Sequence, residues 1–220
     1  MFKQSSAPQV LTSEPAARIE RKTQTMTEAP TRAADVRDFD GVTIPAPGTF
    51  DLDPAHTRIG FSARHMMVSK VRGHFGEFTG SITVADDPFA STAEAVIKTE
   101  SIDTGNAQRD GHLTSGDFLN VEKFPEITFR STRVTGRQGH VFTVLGELTI
   151  KDVTREVELT LDLEGVGNSP WGKQVMGFSL TTEINREDFG MTYNVALEGG
   201  GVLVGKTVKI EIEGEAVRRD

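Results

Sequence analysis

A chain of 220 residues, 36% hydrophobic and 25% charged, suits one sizeable or two small globular domains, and its lack of cysteine excludes disulfide frameworks, thiolate zinc sites and thiol nucleophiles. Residues 1–47 carry six basic and six acidic side chains, so the whole net charge of −8 belongs to residues 48–220. That acidity argues against a nucleic-acid partner and, less heavily, against adhesion to anionic membrane surfaces, while no window approaches the roughly 18 consecutive apolar residues of an integral membrane helix.

The first 40 or so residues mix Ala, Pro, Thr, Ser and both charges with no sustained period. Such a segment cannot bury enough surface to offset its ordering entropy, so residues 1–47 are expected to form a mostly disordered tail. Within it RIERKTQTM has scope for a transient helical turn, and Met26 is a candidate start. No apolar run reaches the roughly 7 to 15 residues of a signal peptide, which makes cytoplasmic the expected location. VTIPAPG, residues 42–48, reads as an extended entry into a single folded domain over residues 48–220.

HTRIGFSARHMMVSKVRGHF, residues 56–75, holds three of the five histidines at a spacing of nine. Positions nine apart in an unbroken strand face opposite sides and lie roughly 30 Å apart, so one strand cannot gather His56, His65 and His74 around a metal. A turn at MMVS would be needed to pair His65 with any neighbour. His56, directly after DPA, reads as a hydrogen-bonded turn residue. His65 shares the parity of Ile59, Phe61 and Ala63, which puts it at or inside the domain wall, facing either a ligand headgroup or backbone.

SIDTGNAQRDGHLTSGDFLN, residues 101–120, is polar and lacks alternation, as a short helix or structured crossover would. Asn106, Arg109 and Asp110 are its densest polar cluster. A guanidinium beside an amide suits a phosphate or carboxylate, and the same residues suit fixing the crossover to the domain rim.

Elsewhere from Gly48 onward the period is two, the mark of strands with one buried face. EVELTLDLEGV sets Val157, Leu159, Leu161 and Leu163 against charged and polar neighbours, and TVKIEIEGEAV repeats this with Val208, Ile210 and Ile212. GFSLTTEI aligns Phe178, Leu180 and Ile184; VFTVLGELTI aligns Phe142, Val144, Leu148 and Ile150; Ile127 and Phe129 open another run. Turn signals at ADDP, TGRQGH, KDVT and VGNSPWG separate them, giving an antiparallel meander. Two stacked sheets or a closed barrel would both bury such strands, and the meander order favours a barrel of about eight. Inward faces carrying Phe61, Phe75 or Phe78, Phe129, Phe142 and Phe178 would enclose a packed core or an apolar cavity. Gly146, Ser131 and Thr182 share those faces and hint at space, although barrel taper or a bulge accounts for them equally. No GxSxG or phosphate-binding glycine loop occurs, and EGGGVLVG, residues 198–205, reads as a loop near the barrel mouth.

GTFDLDPAHTRIGFSARHMMVSKVRGHFGEFTGSI, IDTGNAQRDGHLTSGDFLNVEKFPEITFRS, GELTIKDVTREVEL and GFSLTTEINREDFGM, in this order, resemble the successive motifs of the YceI-like family over roughly residues 48–217. The resemblance implies an all-β, eight-stranded antiparallel lipocalin-like barrel holding a polyisoprenoid or similar amphipathic lipid, with a homodimer as its implied assembly. No residue is marked as catalytic, and neither a cofactor nor a metal is implied. The expected ligand-binding residues are Phe61, His65, Phe75, Phe78, Asn106, Arg109, Phe129, Phe142 and Phe178. An enzyme acting on a lipid-like substrate and a packed interaction module stand as the alternatives.

Overall fold

The computed structural model describes residues 35–220; the suggested helical turn at RIERKTQTM and Met26 lie outside the described residues. Its strands are β1 (Val36–Phe39), β2 (Val42–Pro45), β3 (Gly48–Leu52), β4 (Arg58–His65), β5 (Ser69–Phe75), β6 (Phe78–Val84), β7 (Thr92–Lys98) and β8 (Ile102–Asp103). One helix, α1 (Ala107–Thr114), precedes the long strands β9 (Glu126–Gln138), β10 (Val141–Ile150), β11 (Val153–Asn168), β12 (Gln174–Asn185) and β13 (Val204–Arg218).

The pairings close into an antiparallel barrel of eight staves. β3 and β4 both pair with β13 and form one stave, interrupted at Asp53–Thr57. β5 and β6 form the next, interrupted at Gly76 and Glu77, and β7 and β8 the third, interrupted by a single 3-10 turn at Thr99–Ser101. β9 to β13 supply the other five, and the β12–β13 and β13–β3 ladders complete the ring. Each stave thus pairs with its neighbours in sequence, as the alternation and turn signals predict.

The three interruptions sit side by side and are bridged by hydrogen bonds. Lys98 N–H donates to the Glu77 carbonyl at 2.9 Å, and Gly76 N–H to that of Ser101 at 3.0 Å. At the first break the Thr57 hydroxyl donates to the Glu215 carbonyl at 3.1 Å and accepts from the Glu215 N–H at 3.3 Å. Gly214 makes room for this, since a Cβ there would stand 2.5 Å from the Thr57 hydroxyl oxygen.

β1 and β2 are a finding, because they fall inside the stretch whose composition reads as tail. They form a separate hairpin turning at Asp40 and Gly41, with φ of 49° and 77°. Asp-Gly is a preferred pair for two left-handed turn positions. The hairpin covers the lower end of the barrel, where Ile44 is buried in the core. Arg218 donates to the Pro47 carbonyl at 2.7 Å, Gln174 to the Asp35 carbonyl at 2.7 Å, and Arg37 to the carbonyls of Ala85 and Asp86.

The upper end carries the β4–β5 turn, the crossover with α1, and the segment from residue 186 to 203. Asn106 caps α1 by accepting from the Arg109 N–H at 3.0 Å. Among the described residues no helix is long and apolar enough to cross a membrane.

Candidate functional site

The inward face of the barrel is not filled. A main chamber of about 230 Å³ occupies the middle and upper parts, and a lower chamber of about 100 Å³ lies beneath it, against Ile44 and Pro45 of the hairpin. Ile82, Ala93, Leu161 and Phe178 face both and form the partition. The wall of the main chamber follows from the period of two: Ile59, Phe61 and Ala63 from β4, Val157, Leu159 and Leu161 from β11, and Val208, Ile210 and Ile212 from β13 all point in. The interior voids count against the packed-module alternative. An engineered apolar void of about 150 Å³ stays dry and takes up benzene, so a chamber with this lining has both the size and the chemistry to hold an apolar guest.

Of the aromatic residues expected to bind ligand, Phe61, Phe75, Phe129 and Phe178 line the main chamber, and Phe142 lines the lower one with Phe178. Phe78 is buried in the surrounding core without lining either chamber. Phe61 packs on Phe75, ring centroids 5.6 Å apart. His65 lies at the upper end of β4, half-buried between Ser69 and Val204, one step beyond the lining residue Ala63. Asn106 is the helix cap. Arg109 is committed to the crossover: its Nε donates to the Thr104 hydroxyl at 2.7 Å and its Nη2 to the Thr104 carbonyl at 2.9 Å.

The inward glycine does not open space as its size suggests. A Cβ on Gly146 would stand 2.4 Å from Cζ of Phe129, so the phenyl ring already occupies that place. Gly73 is covered in the same way by Phe61, again at 2.4 Å. Ser131 is buried and accepts the Ala93 N–H at 2.7 Å, tying β9 to β7. Thr182 does face the main chamber, with its hydroxyl donating to the Glu158 carbonyl at 2.7 Å.

The upper closure escapes a reading by strand period. Leu113, Phe118 and Leu119 of the crossover and Met191 of the 186–203 segment line the top of the main chamber. The two covering segments meet where the His112 ring stands edge-on to Phe118 and Tyr193, centroids 5.1 and 4.7 Å away. Arg186 is 2% exposed and lies at the same level. Its guanidinium donates to the carbonyls of Gly205 at 3.0 Å and Val204 at 3.4 Å, and to that of Met191, stapling the segment to β13. Burial pulls its pKa down, yet an arginine keeps its proton at any ordinary pH.

The segment does turn back at Met66–Val68, yet the histidines stay dispersed: His65 pairs with Ser69 and Val204, and His74 with Gly60 and Asp103. Among the described residues Asp53, His56 and Glu215 alone bring three ligand-type atoms within 4.8 Å. The local turn accounts for two of them. The Asp53 carboxylate accepts from the Ala55 N–H at 2.9 Å and lies 2.7 Å from Nδ1 of His56. That hydrogen bond raises the His56 pKa and lowers that of Asp53.

Residues 50–216 match the family model described as the YceI-like domain. A UPF0312 protein of Staphylococcus aureus strain N315 is 42% identical over 168 residues, 76% of this chain and 95% of that protein. Among solved structures, the YCEI protein of Campylobacter jejuni is 31% identical with a TM-score of 0.60, covering 77% of this chain and 97% of that one. BcnA of Burkholderia cenocepacia gives 0.64 at 20% identity, over 76% and 99%. A polyisoprenoid-binding domain from Saccharophagus degradans gives 0.60 at 13% identity, over 79% and 100%, and these last two show the fold alone.

Proposed function

The chain belongs to the YceI-like domain family, and from that premise we propose that its barrel binds a polyisoprenoid or similar long-chain lipid, tail inward and headgroup toward the upper rim. The observation that carries the proposal is the chamber wall, built from apolar side chains of all eight staves and covered at its lower end by the β1–β2 hairpin. The polyisoprenoid-binding domain with the same fold supports the ligand class.

The void sizes bear on the guest. At about 25 Å³ per carbon, the scale set by benzene in a void of about 150 Å³, the main chamber takes about nine carbons and the two together about thirteen. Burial at about 0.8 kcal/mol per methylene gives roughly 7 and roughly 10 kcal/mol gross, so the chambers at their resting volume reach the micromolar range at best after ordering costs. A polyisoprenoid therefore needs the partition at Phe178, or the upper closure, to move. Phe61, Phe75, Phe129, Phe142 and Phe178 contact the chain in this reading, and His65 is the polar group of the upper rim placed to meet a headgroup.

Native mass spectrometry of the purified protein, followed by organic extraction, tests this. An isoprenoid mass supports the proposal, a fatty acyl mass moves the ligand class, and protein that stays empty after feeding with both lipids overturns it.

A further inference from the structure

The acidity of this chain is not evenly spread. No aspartate or glutamate occurs from Pro54 to Gly76, the longest such run in a sequence with 32 acidic residues, and the run contains Arg58, Arg64, Lys70 and Arg72. It forms β4 and β5, whose register sets Arg64 opposite Lys70 and Arg72 opposite Ser62. All three of these cations are exposed and none forms an ion pair among the described residues, although Glu211 of β13, whose pKa its hydrogen bond to Lys209 lowers, is lowered further by Lys70 and Arg72 nearby. Lys206 adds a fourth cation, paired with Glu187 at 2.8 Å, and Glu198 is the one acid between Gly190 and Lys206.

The same end holds exposed apolar side chains. Val68 is 77% exposed, Met67 58%, Val195 43% and Met66 42%. They form one patch: the Met66 N–H donates to the Leu203 carbonyl at 2.9 Å, and the Leu203 N–H to that of Val195 at 2.9 Å. Met66 and Met67 also occupy left-handed backbone, φ 49° and 62°, where Gly or Asn would sit at lower cost. Exposed methionines held in left-handed backbone point to a use for the side chains rather than for the turn.

We propose that this upper tip, Met66, Met67, Val68 and Val195 ringed by Arg64, Lys70, Arg72 and Lys206, docks the barrel onto an anionic lipid bilayer. Apolar side chains flanked by cations match the acyl boundary and the phosphate layer above it. The overall charge of −8 does not oppose this, because beyond about 10 Å exposed charges are screened at moderate salt and the tip meets the surface with its own sign. The location fits as well. Ala63, which lines the main chamber, lies three residues before Met66, and Val204, which also lines it, pairs with His65 next to Met66, so docking sets the covering segments against the lipid source. The inference deepens the lipid-carriage reading and rests on it for its purpose, though not for its measurement.

The test is flotation of the full chain with vesicles of 70% phosphatidylcholine and 30% phosphatidylglycerol, against vesicles of phosphatidylcholine alone. Binding to the anionic vesicles that falls steeply between 0.1 and 0.5 M salt is expected, on the order of fivefold weaker for each cation removed. Met67→Asp with Val68→Asp, at exposed turn positions, should cost at least tenfold; Lys70→Glu with Arg72→Glu should do the same. Both double variants should keep the parent melting curve and the parent uptake of lipid from detergent micelles, read by native mass spectrometry. Equal flotation of wild type and both variants would overturn the docking surface, as would no binding to anionic vesicles or equal, salt-insensitive binding to neutral ones. Flotation that obeys these expectations in a barrel that captures no lipid from micelles would uphold docking and sink the carriage reading alone.

Discussion

Phe178 is the side chain on which guest length should turn. It is 4% exposed and, with Ile82, Ala93 and Leu161, separates the chambers of about 230 and 100 Å³. Phe178→Ala removes about 100 Å³ of side chain and joins the two into a tunnel on the order of 430 Å³. At about 25 Å³ per carbon the limit for a chain that fits without further movement rises from about nine carbons, the main chamber alone, to about seventeen. With about 24 cal/mol per Å³ of new void added to the lost transfer energy of the ring, the empty variant should be less stable by about 3–5 kcal/mol, the range of buried Phe→Ala changes. For a protein of this size that is a fall in melting temperature of about 10 °C, which a filling ligand should partly restore. The assay is native mass spectrometry after incubation with straight-chain acids and prenols of 10 to 20 carbons, run beside thermal melts. A folded Phe178→Ala protein with the parent's length profile would refute the partition, and so would a wild-type protein that already takes every length equally.

Gly146→Ala should destabilise by about 1–3 kcal/mol, since its Cβ meets the Phe129 ring at 2.4 Å and the Arg130 carbonyl at 2.8 Å. Adding Phe129→Leu should recover part of that loss, measurable as non-additivity in a denaturant double-mutant cycle. Arg186→Met strips donors from three backbone carbonyls and should cost on the order of 2–4 kcal/mol, with amide exchange rising first between residues 190 and 204. The Asp53–His56 contact sets a pH window. The raised His56 pKa contributes stability that is complete below about 6.5 and is lost as pH rises through the folded value, while the lowered Asp53 pKa contributes above about 3.9 and is lost on acidification. Asp53→Asn should therefore lower the His56 titration midpoint by NMR, and an unmoved midpoint would refute the pairing.

The regular half of this fold is readable because a strand with one buried face writes its direction into the sequence. Val157, Leu159 and Leu161, Val208, Ile210 and Ile212, and Phe178, Leu180 and Ile184 all face inward as their alternation predicts. Where the fold depends on groups far apart in sequence, the pattern is silent. The break at Asp53–Thr57 relies on a hydroxyl bonding to backbone 158 residues away, and Phe129 covering Gly146 makes an apparent vacancy a contact. The β1–β2 hairpin was signalled by Asp40–Gly41, but two strands of four residues among tail-like composition carry too short a pattern for the period to register. Of the residues expected to contact ligand, the aromatic ones other than Phe78 line the chambers as parity predicts; His65 stands two residues past the lining residue Ala63, and Arg109 is claimed by Thr104 nearby.

The three neighbouring interruptions divide the wall mechanically. From β9 to β13 the staves run 10 to 16 residues with bulges but no break, whereas on the other side every stave is jointed at one common level. A tube made this way swells unevenly under load. Its continuous half would then be the stiffer side, and a guest too large for the resting volume would, beyond shifting the Phe178 partition or the upper closure, bow the jointed flank at Asp53–Thr57, Gly76–Glu77 and Thr99–Ser101. Capacity then becomes a property of how easily that flank bends, and two relatives with identical linings but different joints would admit guests of different girth.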